Sequence, residues 1–205
     1  GEPSDINAHP HKVGRVTLVH NGIIENYLEL KEKFHPNPVS QTDTEIAAAV
    51  INACYHGDPQ KAIFDAIQMF HGSYALCIMF SDIPDTVFAI RQASPLIVAK
   101  GENESFLASD VPAILAYTKN YYLPEKGELA ILTKNEVRFV DQDGTPIEKT
   151  LKTADWDEAA AQKNGFDHFM LKEIFEQPRA IREATAARLQ GGRVILQDLT
   201  MTPEE

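Results

Sequence analysis

Residues 20–26 hold the first candidate for chemistry, the run His20-Asn21-Gly22-Ile23-Ile24-Glu25-Asn26. A glycine lets the backbone approach a ligand closely, and the side-chain amide of a neighbouring Asn can donate a second hydrogen bond to the same point. Two donors that converge on one oxygen are what an oxyanion hole requires. Asn21 and Gly22 are therefore candidate catalytic residues, although the same dipeptide is also typical of a plain turn.

Asp43 is the second candidate, in the run Thr42-Asp43-Thr44-Glu45. A helix macrodipole keeps a carboxylate at its N-terminus ionised, and an ionised carboxylate can receive an ammonium group. The spacing of Thr42 and Glu45 is also that of a capping box, so the run has a purely structural interpretation as well.

The histidines and cysteines point to neither a metal nor a disulfide framework. His9, His11 and His20 are potential imidazole ligands, but no cysteine or second cluster completes a site, and Pro10 imposes an extended spacing. Phosphate-binding loops of the GxxxxGK[ST] and GxGxxG types are missing from the sequence, so we expect no cofactor. Cys54 and Cys77 each lie in an apolar run and are expected to be buried core thiols.

The composition bounds the class of protein. The 205 residues are 43% hydrophobic and 24% charged, which is typical of a globular chain long enough for one domain and part of another. The net charge of −11 disfavours nucleic acid and anionic membrane as partners. Apolar runs such as residues 75–80 are far shorter than the roughly 20 residues of a membrane span. With no signal peptide recognised, we expect a cytoplasmic protein.

The elements that must position these residues follow from the hydrophobic pattern. In the first part we predict a strand over residues 16–20 and a turn at Asn21-Gly22. Three helices follow, over residues 23–34, 46–55 and 60–70. Short strands separated by turns follow, over residues 74–80, 87–91, 96–99, 105–107, 128–132 and 136–140, with a short helix over 110–116. Hairpins predominate, which favours antiparallel sheets and an α+β layout.

The last part of the chain has a different composition. Residues 149–164 are polar and indicate a linker, and residues 168–189 are helical in composition apart from Pro178, which should break or kink the helix. We therefore predict two regions, residues 1–164 and 165–205.

Six ordered segments carry a family resemblance: GEPSDINAHPH, VHNGIIEN, SQTDTE, HGSYAL, SPLIVAKGENESFLASD and HFMLKEIFEQP. From Gly1 to about Leu189 the chain resembles the glutamine amidotransferases whose nucleophile is an N-terminal cysteine. HNGIIEN and QTDTE fit the whole class, which includes amidophosphoribosyltransferases. GENESFLASD and KEIFEQP point to the glucosamine-6-phosphate synthase family.

The resemblance implies a fold and a reaction. The fold is the four-layer αββα sandwich of the N-terminal-nucleophile hydrolases. In the reaction a cysteine thiolate attacks the side-chain amide of L-glutamine, and the ammonia released aminates fructose 6-phosphate at a separate isomerase domain of a homodimeric enzyme. Asn21 and Gly22 match the oxyanion hole, and Asp43 matches the carboxylate that holds the α-ammonium of the substrate.

The sequence departs from the family at its start. The family's cysteine and its substrate-binding Arg precede the position that Gly1 matches, so we expect an incomplete glutaminase domain, truncated at its N-terminus, in residues 1–164. Residues 165–205 would be the linker and first helix of the isomerase domain. Cys54 and Cys77 lack a neighbouring free α-amine, and burial would raise their pKa, so neither is expected to replace the nucleophile.

We therefore expect this chain alone not to hydrolyse glutamine. Two alternatives remain open: the glutaminase domain of an amidophosphoribosyltransferase-type enzyme, and a non-catalytic module that binds glutamine for regulation.

Overall fold

The computed structural model describes residues 2–35, 37–154, 165–186, 188–190 and 193–194. The chain divides into two compact units, residues 1–155 and 156–205. The boundary predicted between residues 164 and 165 stays a prediction, because residues 155–164, which include most of the predicted linker, lie outside the described part.

A larger antiparallel sheet runs through the first unit. In spatial order its strands are β1 (His11–Val13), β2 (Val16–Ile24), β3 (Gly72–Phe80), β4 (Val87–Arg91), β8 (Leu129–Leu132), β9 (Val137–Val140) and β10 (Pro146–Ile147). The longest pairing joins β2 to β3, from Val16 opposite Phe80 to Ile24 opposite Gly72.

A smaller antiparallel sheet has the order β11 (Lys152–Thr153), β7 (Asn120–Tyr122), β5 (Ile97–Lys100) and β6 (Ser105–Ala108). Consecutive strands form hairpins in both sheets, such as β8 with β9 and β5 with β6. The predicted α+β class with antiparallel sheets is confirmed.

Within residues 2–35 and 37–154 the first unit has three α-helices: α1 (Tyr27–Phe34), α2 (Asp43–Cys54) and α3 (Pro59–Ile67). Short 3-10 helices cover Asp5–Asn7 and Val111–Ala113. The second unit contains α4 (Phe169–Ala186) and a hairpin of β12 (Leu189–Gln190) with β13 (Arg193–Val194).

The larger sheet separates two apolar cores. Because side chains alternate across a strand, Leu76 and Ile78 of β3 point into the core shared with α2 and α3, while Ala75 points into the core shared with the smaller sheet. Helices, larger sheet and smaller sheet thus make three layers. The resemblance implies a fourth, which is not among the elements described for residues 2–154.

The predicted turn at Asn21-Gly22 is wrong, because β2 continues through it to Ile24. Asn21 pairs with Ala75 and Gly22 with Tyr74 in the sheet. Hydrogen bonds to the neighbouring strand outweigh the turn preference of the dipeptide. Helix α1 consequently begins at Tyr27, four residues later than predicted.

Other differences concern the ends of helices. Helix α2 begins at Asp43 rather than residue 46, since Thr42 caps it there, and α3 ends at Ile67 rather than residue 70. The predicted helix over residues 110–116 is the shorter 3-10 helix Val111–Ala113. Helix α4 continues through Pro178, where the sequence predicts a break or kink.

Candidate active site

The end of β2 and the beginning of α2 meet at one hydrogen bond. The backbone N–H of Ile24 donates to Oδ2 of Asp43 over 2.8 Å. Asn21 and Gly22 lie three and two residues earlier, respectively, on the same strand, so the fold brings the three candidate residues into one region. The side chain of Asp43 is 21% exposed, which leaves its other lone pairs open to a ligand.

Gly22 occupies a position that only glycine fits. Its φ is 130°, in the region that L side chains rarely adopt. A Cβ built there would lie 2.0 Å from the carbonyl oxygen of Ser73 and 2.8 Å from Oγ of Ser94. The close approach that the sequence suggests at this glycine is therefore made to the protein's own backbone and to a buried serine.

Ser94 is held in place by Arg91. The guanidinium donates from Nε to the carbonyl oxygen of Ser94 over 2.7 Å and from Nη2 to that of Ala93 over 3.0 Å. A third hydrogen bond runs from Nη1 to the carbonyl oxygen of Pro124 over 3.2 Å. Sequence reasoning assigned Ser94 and Arg91 no role, and Ser94 was marked only as the first residue of the segment SPLIVAKGENESFLASD.

The first turn of α2 is fixed by a dense set of hydrogen bonds. Oγ1 of Thr42 accepts from the backbone N–H of Glu45 over 3.3 Å, as an N-cap does. The carboxylate of Glu45 does not close the predicted capping box. It accepts instead from the backbone N–H groups of Val39 and Ser40, and it lies 3.1 Å from Nε2 of His35.

These contacts decide the charge state of Glu45. Burial would raise its pKa, but hydrogen bonds from Ser40, Val39 and His35 together lower it to about 2. An ionised carboxylate in the first turn also interacts favourably with the helix dipole.

The three N-terminal histidines gather around the same turn. Nε2 of His9 lies 3.0 Å and Nδ1 of His20 lies 3.2 Å from Oγ1 of Thr44, and Nε2 of His11 lies 3.1 Å from Oγ1 of Thr42. Burial lowers the pKa of both His9 and His20, and for His20 it outweighs the opposing effect of Asp43. In the part of the chain that the structure describes, no three His, Cys, Asp or Glu side chains are grouped to hold a metal ion.

Both cysteines are half-buried rather than fully buried as predicted. Cys77 lies on the face of β3 that the smaller sheet only partly covers, next to Met79, which is 45% exposed. Burial raises the pKa of both thiols. Because the thiolate is the nucleophile and a raised pKa lowers its fraction near neutral pH, neither cysteine is suited to act as one.

A family model described as "Glutamine amidotransferase domain" matches residues 7–116, which include Asn21, Gly22 and Asp43. The chain belongs to this family of glutamine amidotransferase domains.

Relatives of this amidotransferase domain agree with the resemblance seen in the sequence. This chain is 44% identical, over 100% of its length, to the glutamine–fructose-6-phosphate aminotransferase [isomerizing] of Caldanaerobacter subterraneus subsp. tengcongensis, and it covers 35% of that relative. With the enzyme of the same name from Clostridium acetobutylicum the identity is 46%, with the same two coverages. With that from Aquifex aeolicus it is 46% over 89% of this chain and 32% of the relative. This chain thus spans about a third of the length of these relatives.

Solved structures support the fold. The glutamine phosphoribosylpyrophosphate amidotransferase from B. subtilis, complexed with ADP and GMP, aligns with a TM-score of 0.52 and 20% identity, over 67% of this chain and 31% of that one. A structure described as the allosteric regulatory enzyme of purine biosynthesis gives 0.52 and 23% identity, over 62% of this chain and 28% of that one. The predicted fold class, of the N-terminal-nucleophile type, is confirmed. The roles of Asn21, Gly22 and Asp43 stay predictions.

None of the amidotransferase domain's helices, within the described residues, is both long and apolar enough to cross a membrane.

Proposed function

We propose that this domain binds L-glutamine for hydrolysis of its side-chain amide, as part of an enzyme that passes the ammonia to fructose 6-phosphate to make glucosamine 6-phosphate. The names of the curated relatives support the reaction. The observation that carries the proposal is the hydrogen bond from Ile24 to Asp43, which holds a carboxylate beside the strand end that contains Asn21 and Gly22.

In this reaction a cysteine thiolate adds to the amide carbon of glutamine and the carbonyl oxygen becomes an oxyanion. The side-chain amide of Asn21 and the backbone N–H of Gly22 donate to that oxygen. When the intermediate collapses, the C–N bond breaks and the nitrogen leaves as ammonia, taking up the proton that the thiol lost when the thiolate formed. Water then hydrolyses the thioester to glutamate and restores the thiol.

Asp43 binds the other end of the substrate. Its Oδ2 is occupied by Ile24, and the remaining lone pairs of the carboxylate accept hydrogen bonds from the α-ammonium group. We assign the thiolate to neither Cys54 nor Cys77, since burial raises the pKa of both. The inactivity of these 205 residues on their own stays a prediction.

Glutamine binding by this chain tests the role of Asp43 without requiring turnover. In calorimetric titrations, Asp43→Asn should weaken the affinity for L-glutamine at least about tenfold, because the amide keeps an acceptor for Ile24 but loses the charge that attracts an ammonium. Asp58→Asn is the matched control, because it also removes a carboxylate charge from the N-terminus of a helix, in this case α3. Equal affinities of wild type and Asp43→Asn would contradict the assignment.

The oxyanion hole is tested in the full-length enzyme that carries this domain. Asn21→Ala should lower glutamine-dependent activity about a hundredfold or more, because one oxyanion donor is lost. Activity with ammonia supplied directly should change much less. Asn103→Ala, at an exposed loop position, is the control. Unchanged glutamine turnover in Asn21→Ala would overturn the role of this residue.

A phosphoribosyl acceptor is the second candidate, favoured by the fold likeness to the amidotransferase from B. subtilis. Parallel assays of the full-length enzyme with fructose 6-phosphate and with phosphoribosyl pyrophosphate distinguish the two acceptors. A regulatory glutamine-binding module would accept neither. The homodimer and the cytoplasmic location stay predictions.

A further inference from the structure

The hydroxyl group of Thr44 lies between two histidine rings, and this limits where their protons can be. Oγ1 of Thr44 is 3.0 Å from Nε2 of His9 and 3.2 Å from Nδ1 of His20. A hydroxyl has a single hydrogen to donate. It can donate to only one of the rings, so at least one ring nitrogen must donate to it.

The surroundings of His20 decide which tautomer it adopts. Its Nδ1 lies 3.8 Å from Oδ1 of Asp43, and its side chain is only 2% exposed. A carboxylate accepts hydrogen bonds and repels a lone pair, which favours a hydrogen on Nδ1. His20 then donates to Oγ1 of Thr44, and Thr44 donates to Nε2 of His9.

The opposite nitrogen of His20 supports the same tautomer. Nε2 is buried and has no hydrogen-bond partner among the residues that the structure describes. A hydrogen on Nε2 would be a buried donor without an acceptor, and orphaned N–H groups are rarer in proteins than under-satisfied acceptors. A second proton on His20 is disfavoured for the same reason.

We propose that His20 is a positioning residue for Asp43, held neutral as the Nδ1–H tautomer by the hydroxyl of Thr44 and by the enclosed Nε2. The inference rests on the proposed binding of glutamine at Asp43. A neutral ring places its N–H dipole 3.8 Å from Oδ1 of Asp43, beyond hydrogen-bond distance, which limits where the carboxylate can lie and leaves its negative charge uncompensated for the substrate ammonium. A protonated ring at this distance would instead be a competing cation.

The other charged and titratable groups around this turn do not replace His20. His9 contacts Thr44 and interacts with Asp43 through charge without a hydrogen bond to it, and His11 contacts Thr42. Glu45 is engaged by His35, Val39 and Ser40. Among the described side chains, His20 is therefore the ring that lies between Thr44 and Asp43.

The first test is spectroscopic and independent of glutamine. Long-range ¹H–¹⁵N correlation spectra of the chain should show His20 with a hydrogen on Nδ1 and a bare Nε2, persisting below the pH at which free imidazole titrates. Thr44→Val should change these signals, whereas Thr17→Val, which removes a hydroxyl on strand β2 away from α2, should not. An Nε2–H tautomer, or a protonated ring at neutral pH, would overturn the inference.

The second test measures affinity. His20→Leu should weaken L-glutamine binding at least about tenfold, and His20→Asn, whose side-chain amide places a donor near the position of Nδ1, should recover most of it. His56→Asn, a change at an exposed histidine beyond the C-terminal end of α2, is the control and should leave glutamine binding unchanged. Backbone spectra of each variant confirm that it is folded.

Failure of the proposed function and failure of the inference about His20 give different results. If the wild-type chain alone does not bind glutamine, the same titrations are made with the full-length enzyme that carries this domain, and a lack of binding there contradicts the proposed function. Glutamine binding that Asp43→Asn weakens but His20→Leu leaves unchanged overturns the positioning role of His20 alone.

Discussion

The two halves of strand β2 differ in what holds them. In the first half, Val16 and Leu18 are fully buried in the core shared with the helices, while Val19 is 43% exposed on the opposite face. In the second half, Asn21, Gly22 and Ile23 are all exposed before Ile24 returns to the core. Both halves pair with β3, so the difference lies in their packing and not in the ladder.

This difference separates stability from the site. Burial of apolar side chains stabilises the first half and fixes the position of the strand against α2. The second half is shaped by specific contacts: Gly22 against Ser73 and Ser94, and Ile24 with Asp43. We expect substitutions in the first half to lower stability alone, and those in the second half to change glutamine binding as well.

The largest effect is expected for Gly22→Ala. The new Cβ would lie 2.0 Å from the carbonyl oxygen of Ser73, at a φ of 130°. Backbone strain and overpacking together should lower the free energy of unfolding by about 4 kcal/mol. Urea denaturation measures the loss, and glutamine titration of the folded protein should show weaker binding.

Gly144→Ala is the matched control for Gly22. Gly144 has a φ of 77° but nothing within 4 Å of the position of a Cβ. Its substitution should cost only about 1 kcal/mol, for the conformation alone. Similar losses for the two variants would mean that the contacts with Ser73 and Ser94 do not shape the second half.

Leu18→Ala is the counterpart in the first half. The side chain is completely buried, and its truncation should lower the free energy of unfolding by about 3 kcal/mol through lost burial and a cavity. Affinity for glutamine, measured where the variant is folded, should not change. Val19→Ala, on the exposed face, should cost less than about 1 kcal/mol. A glutamine affinity that falls with Leu18→Ala would break the separation between the halves.

The same division explains how much the sequence predicts. Strand 87–91 has the predicted ends, and residues 16–20 are correctly a strand, because alternation and β-branched residues reflect burial directly. The continuation through Asn21 and Gly22 was missed, since it depends on β3, more than 50 residues away in sequence. Local signals at an Asn-Gly pair favour a turn, and only the tertiary contact overrides them.

The candidate site shows the same division between features that the sequence predicts and features that it does not. Residue types and the resemblance named Asn21, Gly22 and Asp43. The contact of the Thr44 hydroxyl with His20 and the approach of Ser94 to Gly22 join residues far apart in sequence, so no local spacing predicts them. Thr42 as an N-cap was predicted because capping is local. The hydrogen bonds that the Glu45 carboxylate accepts were not predicted, because their donors are backbone amides in the loop before the helix.

Acid should act on the site-bearing turn through Glu45. Its folded pKa of about 2 lies below the ordinary value of 4.5, so its contribution is present above pH 4.5 and is lost as the pH falls toward 2. By linkage about 2 kcal/mol of that contribution should be gone by about pH 3. The advantage of wild type over Glu45→Gln in urea denaturation should therefore shrink by this amount between about pH 6 and pH 3. A constant difference would show that Glu45 does not carry this pH dependence.

Apart from the controls Val19→Ala and Gly144→Ala, Thr42→Ala should have the smallest effect, about 1 kcal/mol, because it removes one cap from the N-terminus of α2. Thr42→Ser keeps the hydroxyl that Glu45 and His11 contact, and should retain nearly all of the stability. The cap fixes the turn that carries Asp43, so glutamine affinity should fall in Thr42→Ala and recover in Thr42→Ser. Thermal denaturation and glutamine titration of the two variants measure both. If stability falls while affinity does not, Asp43 is held by Ile24 and His20 without help from the cap, and the site depends on β2 more than on the helix.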